Sequence, residues 1–388
     1  MPRFKALSAL VILLLSASAA FAQTPRTAED FYNRGLQRHA EGNLEGALAD
    51  YEEAIRRDPR MPDAYNNRAN VRLQKGEVEA AFADYAKVIE LNPRDFTGYY
   101  NRGVAYLNLS KYDEAIADFD KAIGISPRLS MLYNNRANAK EAKGDLEGAL
   151  ADYGKALEVD PEFATALVNR GALRHRRGEF DAALADLDLA VAVAPQMAAA
   201  YTNRGAAHRS KGDQAAALAD YTRAVELAPD DADAYFNRGI TYHALGETER
   251  ALADFDRAVA LAPGESAHYT QRGMARASKK DSAGALADFD KAIALNAADA
   301  LAYVNRGLVR ESKGERDAAI ADYTAAIAAD PRTATAYANR GVLRLQKRQE
   351  KLAEQDFAQA VQLDPSLKPT LEKYVREMRE HNAKARQK

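Results

Sequence analysis

Residues 99–127 read YYNRGVAYLNLSKYDEAIADFDKAIGISP, and 34 residues on either side the same pattern returns. Asn101-Arg102-Gly103 recurs as Asn33-Arg34-Gly35, Asn67-Arg68-Ala69, Asn135-Arg136-Ala137, Asn169-Arg170-Gly171, Asn203-Arg204-Gly205, Asn237-Arg238-Gly239, Gln271-Arg272-Gly273, Asn305-Arg306-Gly307 and Asn339-Arg340-Gly341. These ten copies run from residue 28 to residue 367 without an insertion or deletion. A fixed period of this size means stacked supersecondary units, and its length suits two helices and two turns. The clearest copy predicts helices over Thr97–Leu109 and Asp113–Ile125. Gly103 and its equivalents are small in every copy, and Ala115 and its equivalents are Ala in all ten. Small residues at these places let paired helices approach closely. Pro127 and its counterparts close the second helix in nine copies, since proline cannot continue a helix.

Tyr99, Arg102-Gly103, Tyr106, Ala115, Phe119 and Pro127 stand where a tetratricopeptide repeat has its aromatic, Leu-Gly, aromatic, Ala, aromatic and Pro. The chain therefore resembles a tetratricopeptide-repeat protein. The resemblance implies an all-α, right-handed superhelix of ten helix hairpins that acts as a protein–protein interaction scaffold. In such a solenoid each unit buries its apolar face only against its neighbours, and the ends need capping. Leu371, Tyr374, Val375 and Met378 form an i, i+3, i+4, i+7 apolar stripe that reads as the cap, with residues 368–388 as cap and charged tail.

The remaining composition narrows the function. Among 388 residues there are no cysteines, which excludes disulfides, thiolate metal sites and a cysteine nucleophile. A formal net charge of −2 gives no basic footprint for nucleic acid. Residues 1–22 read as a signal peptide: Arg3 and Lys5 precede an apolar run, Ala6 to Leu15, and Ala20-Phe21-Ala22 offers a cleavage site before Gln23. The run is too short for a spanning anchor, so no membrane insertion is expected after cleavage, and the mature chain is expected in a periplasm or secreted. Residues 23–27 form a lead-in, with Thr27 as N-cap of the first helix.

Two polar columns stand out. Arg102 and Asp118 have Arg and Asp equivalents in all ten copies, on antiparallel helices at one level of the hairpin, which predicts a repeated structural ion pair. The second column is Asn33, Asn67, Asn101, Asn135, Asn169, Asn203, Asn237, Gln271, Asn305 and Asn339. Asparagine is a mediocre helix former, so its repeated use inside helices needs a return. One reading is a row of amides for the backbone of an extended peptide. The resemblance supports it: the equivalent residue lies on or near the concave face, and O-linked N-acetylglucosamine transferase has a similar asparagine row that holds peptide. The other reading is that each Asn bonds an adjacent repeat and spaces the superhelix.

Tyr32, Tyr100, Phe236, Leu308 and Met274 flank that column with apolar surface, and Asn66, Asn70, Asn134 and Asn138 add amides. A carboxylate-clamp repeat would place Lys in the column of Tyr100, and none occurs there. The six histidines fall in separate repeats or the tail without metal-ligand spacing, and read as surface or groove substitutions. No phosphate loop, isolated carboxylate pair or space for a catalytic domain is apparent, so neither enzyme activity nor a cofactor is expected. The expectation is a scaffold for extended peptide segments; the alternative is a spacer or envelope-assembly component that binds folded partners through its convex or end surfaces. The eighth copy departs most, with Gln271, Lys280 in place of the turn Gly and Ala297 in place of Pro, which predicts a softer joint near Asn296–Asp299.

Overall fold

The computed structural model describes residues 26–386. All the regular structure in them is helical. The hairpins fall into two compact units, up to Arg170 and from Gly171 onward. The first unit holds α1 (Ala28–Ala40) with α2 (Leu44–Arg57), α3 (Pro62–Gln74) with α4 (Val78–Leu91), α5 (Phe96–Asn108) with α6 (Tyr112–Ile125), and α7 (Ser130–Lys143) with α8 (Leu146–Val159). Helix α9 (Ala164–Arg176) contains the division and α10 (Phe180–Val193) follows. The second unit continues with α11 (Ala198–Ser210) and α12 (Gln214–Leu227), α13 (Ala232–Ala244) and α14 (Thr248–Leu261), and α15 (Ser266–Ser278) and α16 (Ser282–Leu295). It ends with α17 (Ala300–Ser312) and α18 (Arg316–Ala329), α19 (Ala334–Gln346) and α20 (Glu350–Leu363), and a final helix α21 (Lys368–Arg386). The signal-peptide reading falls on residues outside those described.

Local signals start and stop these helices. Thr27 accepts a hydrogen bond from Asp30 N–H, and the Asp30 carboxylate accepts from Thr27 N–H, a reciprocal capping box. Those bonds to backbone N–H groups hold the Asp30 carboxyl below its ordinary pKa. Between the helices of a hairpin one residue turns left-handed. Seven hairpins use glycine there, Gly76 at φ 80° for example, but Ser110, Lys280 and Arg348 adopt φ 58–63° with a side chain attached. Where proline follows, second helices end two residues before it; α6 stops at Ile125, ahead of Ser126 and Pro127.

Packing follows the columns. Ala115 and all nine equivalents are fully buried, as is Phe119. Gly103 faces the Phe119 ring, and its equivalents Gly171 and Gly239 also stand against the backbone of Ala183 and Ala251 in the Ala115 column. A Cβ at Gly103 would stand 2.9 Å from that ring, so the missing side chain makes room for the aromatic. Each buried aromatic stabilises the stack by roughly 2 kcal/mol. The aromatic at the start of the first helix lies under the column arginine, as with Arg136 over Tyr133 at 5.7 Å and Arg306 over Tyr303 at 5.4 Å.

The expected cap forms. Leu371 is buried, and Tyr374, Val375 and Met378 pack on a cluster that includes Leu345, Phe357 and Ala360. The joint after the eighth copy, where proline is lost, is held by side-chain bonds. Asn296 accepts from Ala298 N–H at 3.0 Å, and Asp299 accepts from both Ala302 N–H at 2.9 Å and the Thr270 hydroxyl at 2.8 Å. Thr270 lies on α15, so Asp299 links the two successive first helices.

Candidate functional site

The Arg–Asp column is a set of forked ion pairs. In four hairpins of the first unit and five of the second, the arginine's Nη2 donates to the aspartate's Oδ1 at 2.5–2.8 Å. Nε donates as well, as from Arg102 to Asp118 Oδ2 at 2.7 Å. The aspartates are only 2–5% exposed. Hydrogen bonding to the carboxylate raises the pKa of Arg102 and Arg238, so these guanidinium groups stay charged.

The network exceeds the expected pair in two ways. A second cation, one turn further along the first helix, reaches the same carboxylate in most hairpins: Arg38 to Asp50, Arg72 to Asp84, Lys140 to Asp152, Arg276 to Asp288, Arg310 to Asp322 and Arg344 to Asp356, all at 2.7–2.9 Å. Tyr106 and Tyr242 occupy that place in the third and seventh hairpins. The column arginine also reaches the preceding repeat: Arg136 to Asp120, Arg204 to Asp188, Arg272 to Asp256 and Arg306 to Asp290, at 2.6–2.9 Å. Lysines make a further link 30 residues back, Lys211 to Asp181 at 2.5 Å, Lys279 to Glu249 at 2.8 Å and Lys347 to Asp317 among them. This face is scaffold.

The asparagine column behaves differently in the two units. In the first, the amide N–H reaches the residue preceding the Asn in the neighbouring repeat. Asn67 donates to the Tyr32 hydroxyl at 3.1 Å, Asn101 to Asn66 Oδ1 at 2.7 Å, Asn135 to the Tyr100 hydroxyl at 3.4 Å and Asn169 to Asn134 Oδ1 at 3.1 Å. Asn67 and Asn135 also donate to the carbonyl four residues earlier, at 3.0 and 2.9 Å. In the second unit Asn203, Asn237 and Asn305 make that bond, each at 2.8 Å, without a bond to the neighbouring repeat. Among the described residues, the side-chain oxygens of Asn203, Asn237 and Asn305 accept no hydrogen bond. Asn339 bonds Tyr323. Asn33 is exposed and Gln271 half-buried.

The flanking residues need correction. Tyr32 tilts against Tyr51, Tyr100 against Phe119 and Phe236 against Phe255, with centroids 6.0–6.1 Å apart, so all three are half-buried against the second helix. Asn70 and Asn138 are not free amides: their oxygens accept the buried hydroxyls of Tyr85 and Tyr153 at 2.6 Å. Asn134 is buried, and Asn66 gives its oxygen to Asn101. The sequence carried the signal, because Asn occurs at these two places only where the second helix bears Tyr 15 residues later.

Among the histidines, His175 meets the Ser210 hydroxyl at 2.8 Å and His243 the Ser278 hydroxyl at 3.2 Å, each across successive repeats. Burial lowers the pKa of both imidazoles, and the positive charges of Arg209 and Arg176 lower that of His175 further. His268 is not a surface residue: it is 3% exposed and packs on Phe236 at 4.7 Å. His381 lies where no side chain is described. Among the described residues no cluster of His and carboxylates is arranged to hold a metal, and no helix is long and apolar enough to cross a membrane. On the asparagine side of the second unit, His243, Met274, Ser278, Lys280, Asn305 and Leu308 line a pocket of about 660 Å³.

An interlocked stack of antiparallel hairpins, tied by columns that repeat every 34 residues, defines a helical-repeat scaffold. Profiles described as "TPR repeat" match residues 35–76, 69–110, 137–178 and 207–246, and others described as "Tetratricopeptide repeat" match 97–129, 232–265 and 304–367. Together these span more than half of the chain, which belongs to the tetratricopeptide-repeat family, a class of scaffolds for protein–protein interaction. No curated protein matches it. Several solved structures do. YrrB, a TPR protein described as having an unusual peptide-binding site, is 29% identical, with 47% of this chain covering 95% of YrrB at a TM-score of 0.39. The APC/C hetero-tetramer Cut9–Hcn1 is 14% identical over 96% of this chain and 99% of its own, with a TM-score of 0.51. A monomeric IFIT1 variant solved with Gppp-AAAA is 14% identical over 90% and 93%, with a TM-score of 0.54. The last two share the fold.

Proposed function

We propose that the chain binds extended peptide segments along the face that carries the asparagine column. The observation that carries this reading is the row of half-buried amides at Asn203, Asn237 and Asn305, each with an N–H held by its own helix and its oxygen without a hydrogen bond among the described residues. A pinned amide is a pre-oriented acceptor, and the peptide N–H groups of an extended chain are the complementary donors. The pocket at Asn305, with Met274 and Leu308 in its wall, would take an apolar side chain of the same segment. Disordered partners lose ordering entropy on binding, so affinity would be summed over several repeats.

A neutral, randomised pool of fluorescein-labelled twelve-residue peptides tests this reading. Asn203→Ala, Asn237→Ala and Asn305→Ala together should weaken binding at least about tenfold, the loss of one to two net hydrogen bonds. These three positions are preferred because their amides hold no neighbouring repeat. Unchanged binding by the folded variant places the ligand surface elsewhere. That outcome would favour the second reading, a spacer that meets folded partners through its outer or end surfaces. The first unit's amides support that alternative, since there they join one repeat to the next.

The same proposal puts the scaffold outside the cytoplasm, on the strength of Arg3, Lys5, the apolar run and Ala20-Phe21-Ala22. Sequencing the N-terminus of the protein recovered from its host should begin at Gln23; a retained Met1 would refute export by cleavage.

A further inference from the structure

The cap helix α21 does not seat as the earlier first helices do. Ala302 and Ala336 are fully buried and cluster with Ala292 and Ala326 of the second helix before them. Thr370 stands 34 residues after Ala336 and is exposed, while its neighbour Leu371 is buried instead. The helix is thus turned in its seat, and a groove of about 570 Å³ opens between it and α20. Phe357, Ala358 and Val361 line one side, and Leu371 and Val375 the other. Phe357 and Leu371 are buried, Val361 and Val375 half-buried, and Ala358 exposed, so the apolar lining reaches solvent.

The edge of this groove carries charge in a definite order. Lys368, Glu372, Arg376 and Glu380 also line it, each four residues after the last, so they form one ridge along α21 with signs that alternate. Lys368 and Glu372 approach each other only to 3.9 Å and are 63% and 68% exposed, so the row is not spent on its own helix. Reversed end for end, the order plus, minus, plus, minus becomes its own complement. Two such ridges running antiparallel set Lys368 against Glu380 of the other copy and Glu372 against Arg376, and the two-fold axis repeats both pairs. Parallel ridges in register would set like charge against like. Ridges of four-residue spacing also pack on each other at the commonest helix crossing angle, about −50°.

We infer that the groove between α20 and α21 is the contact surface of a two-fold dimer, its occupant the antiparallel α21 of a second copy of this chain. Val361, Val375 and Ala358 would supply the apolar centre and the charged ridge the rim, the order found at protein interfaces. A foreign helix would need no such self-complementary row. The inference does not depend on the peptide-binding reading, since the groove lies off the asparagine column.

Sedimentation equilibrium of the full chain, from about 1 to about 200 μM, tests it, because an interface of two helices per copy belongs to the small, micromolar class. The wild-type mass should rise from one chain to two. Glu372→Lys and Arg376→Glu should each weaken the dimer at least about tenfold, because each sets like charges together twice. The double variant Glu372→Lys/Arg376→Glu, and a mixture of the two single variants, should bring the dimer back, which also shows that the single variants fold. Ala358→Glu, at an exposed position, should block it without touching the ridge. A wild-type dimer that survives Ala358→Glu or either charge reversal overturns the inference, as does failure of the double variant to restore it. A mass that climbs past two chains also overturns it, because a two-fold contact closes. So does a wild-type monomer throughout. Ala358→Cys, the sole cysteine in the chain, then assigns the groove: resistance to alkylation gives it to a segment of the same chain, and free reaction to a foreign partner.

Discussion

Arg238 and Arg306 hold equivalent places, and counting contacts ranks them wrongly. Arg306 pairs with Asp322 in its own hairpin and with Asp290 of the repeat before, whereas Arg238 pairs with Asp254. By number of bonds, Arg306→Gln should cost more. The cost of stranding a buried carboxylate reverses the order. Asp254 is 5% exposed, and Tyr242 stands where other hairpins supply a second cation, so Arg238→Gln leaves a lone buried charge, which costs about 3–5 kcal/mol. Asp322 keeps Arg310 at 2.9 Å after Arg306→Gln, and the lost Asp290 partner is surface-exposed, where such a pair is worth about 0–1 kcal/mol. Arg306→Gln should therefore cost about 1–2 kcal/mol, at least about 1 kcal/mol less than Arg238→Gln. A solenoid need not unfold in one step, so the measurement is native-state hydrogen exchange, with opening free energies read separately for α13–α14 and α17–α18. An equal or larger loss in Arg306→Gln would refute the stranded-charge argument.

The left-handed Ser110, Lys280 and Arg348 should each yield stability on replacement by Gly: about 0.5–1 kcal/mol per site, additive across separate repeats, seen as a higher urea midpoint. Tyr85→Phe and Asn70→Leu should each destabilise the second hairpin by about 1–2 kcal/mol, and the double variant by less than their sum, because it leaves no orphaned partner. His243 has its folded-state pKa held below 6.5 by burial, so the folded state binds fewer protons than the unfolded one as pH falls past that value. Stability should thus be full above about 6.5 and decline below it, more steeply in wild type than in His243→Gln, as followed by thermal melts at stepped pH.

The hairpin stack was legible in the sequence because its cause is periodic: the 34-residue recurrence fixes which residues share a column. Turn glycines, helix-ending prolines and the Arg102–Asp118 pairing follow from backbone and charge rules that act within one repeat. What the sequence concealed depends on rotamers and on neighbours about 35 residues away. Nothing in the identity of Asn101 or Asn203 tells which way its NH2 turns, toward Asn66 of the previous repeat or back to Ala199 of its own helix. Asn70 and Asn138 read as groove amides until the Tyr85 and Tyr153 hydroxyls are seen to claim them. His268 replaces a buried alanine column, a position that its polarity disguises.

The cross-repeat bridges bear on how such a chain changes length over generations. Excising residues 266–299 would bring Arg306 opposite Asp256, the counterpart of its present partner Asp290, and would hand Glu249 from Lys279 to Lys313. Thr270 and Asp299, which bond each other, would leave together. Excising residues 232–265 instead would set Arg272 against Thr222 and Lys279 against Ala215, with both bridges broken. Equal cuts are thus unequal edits: the charge pattern marks which repeats a gene can shed or copy without first repairing a seam.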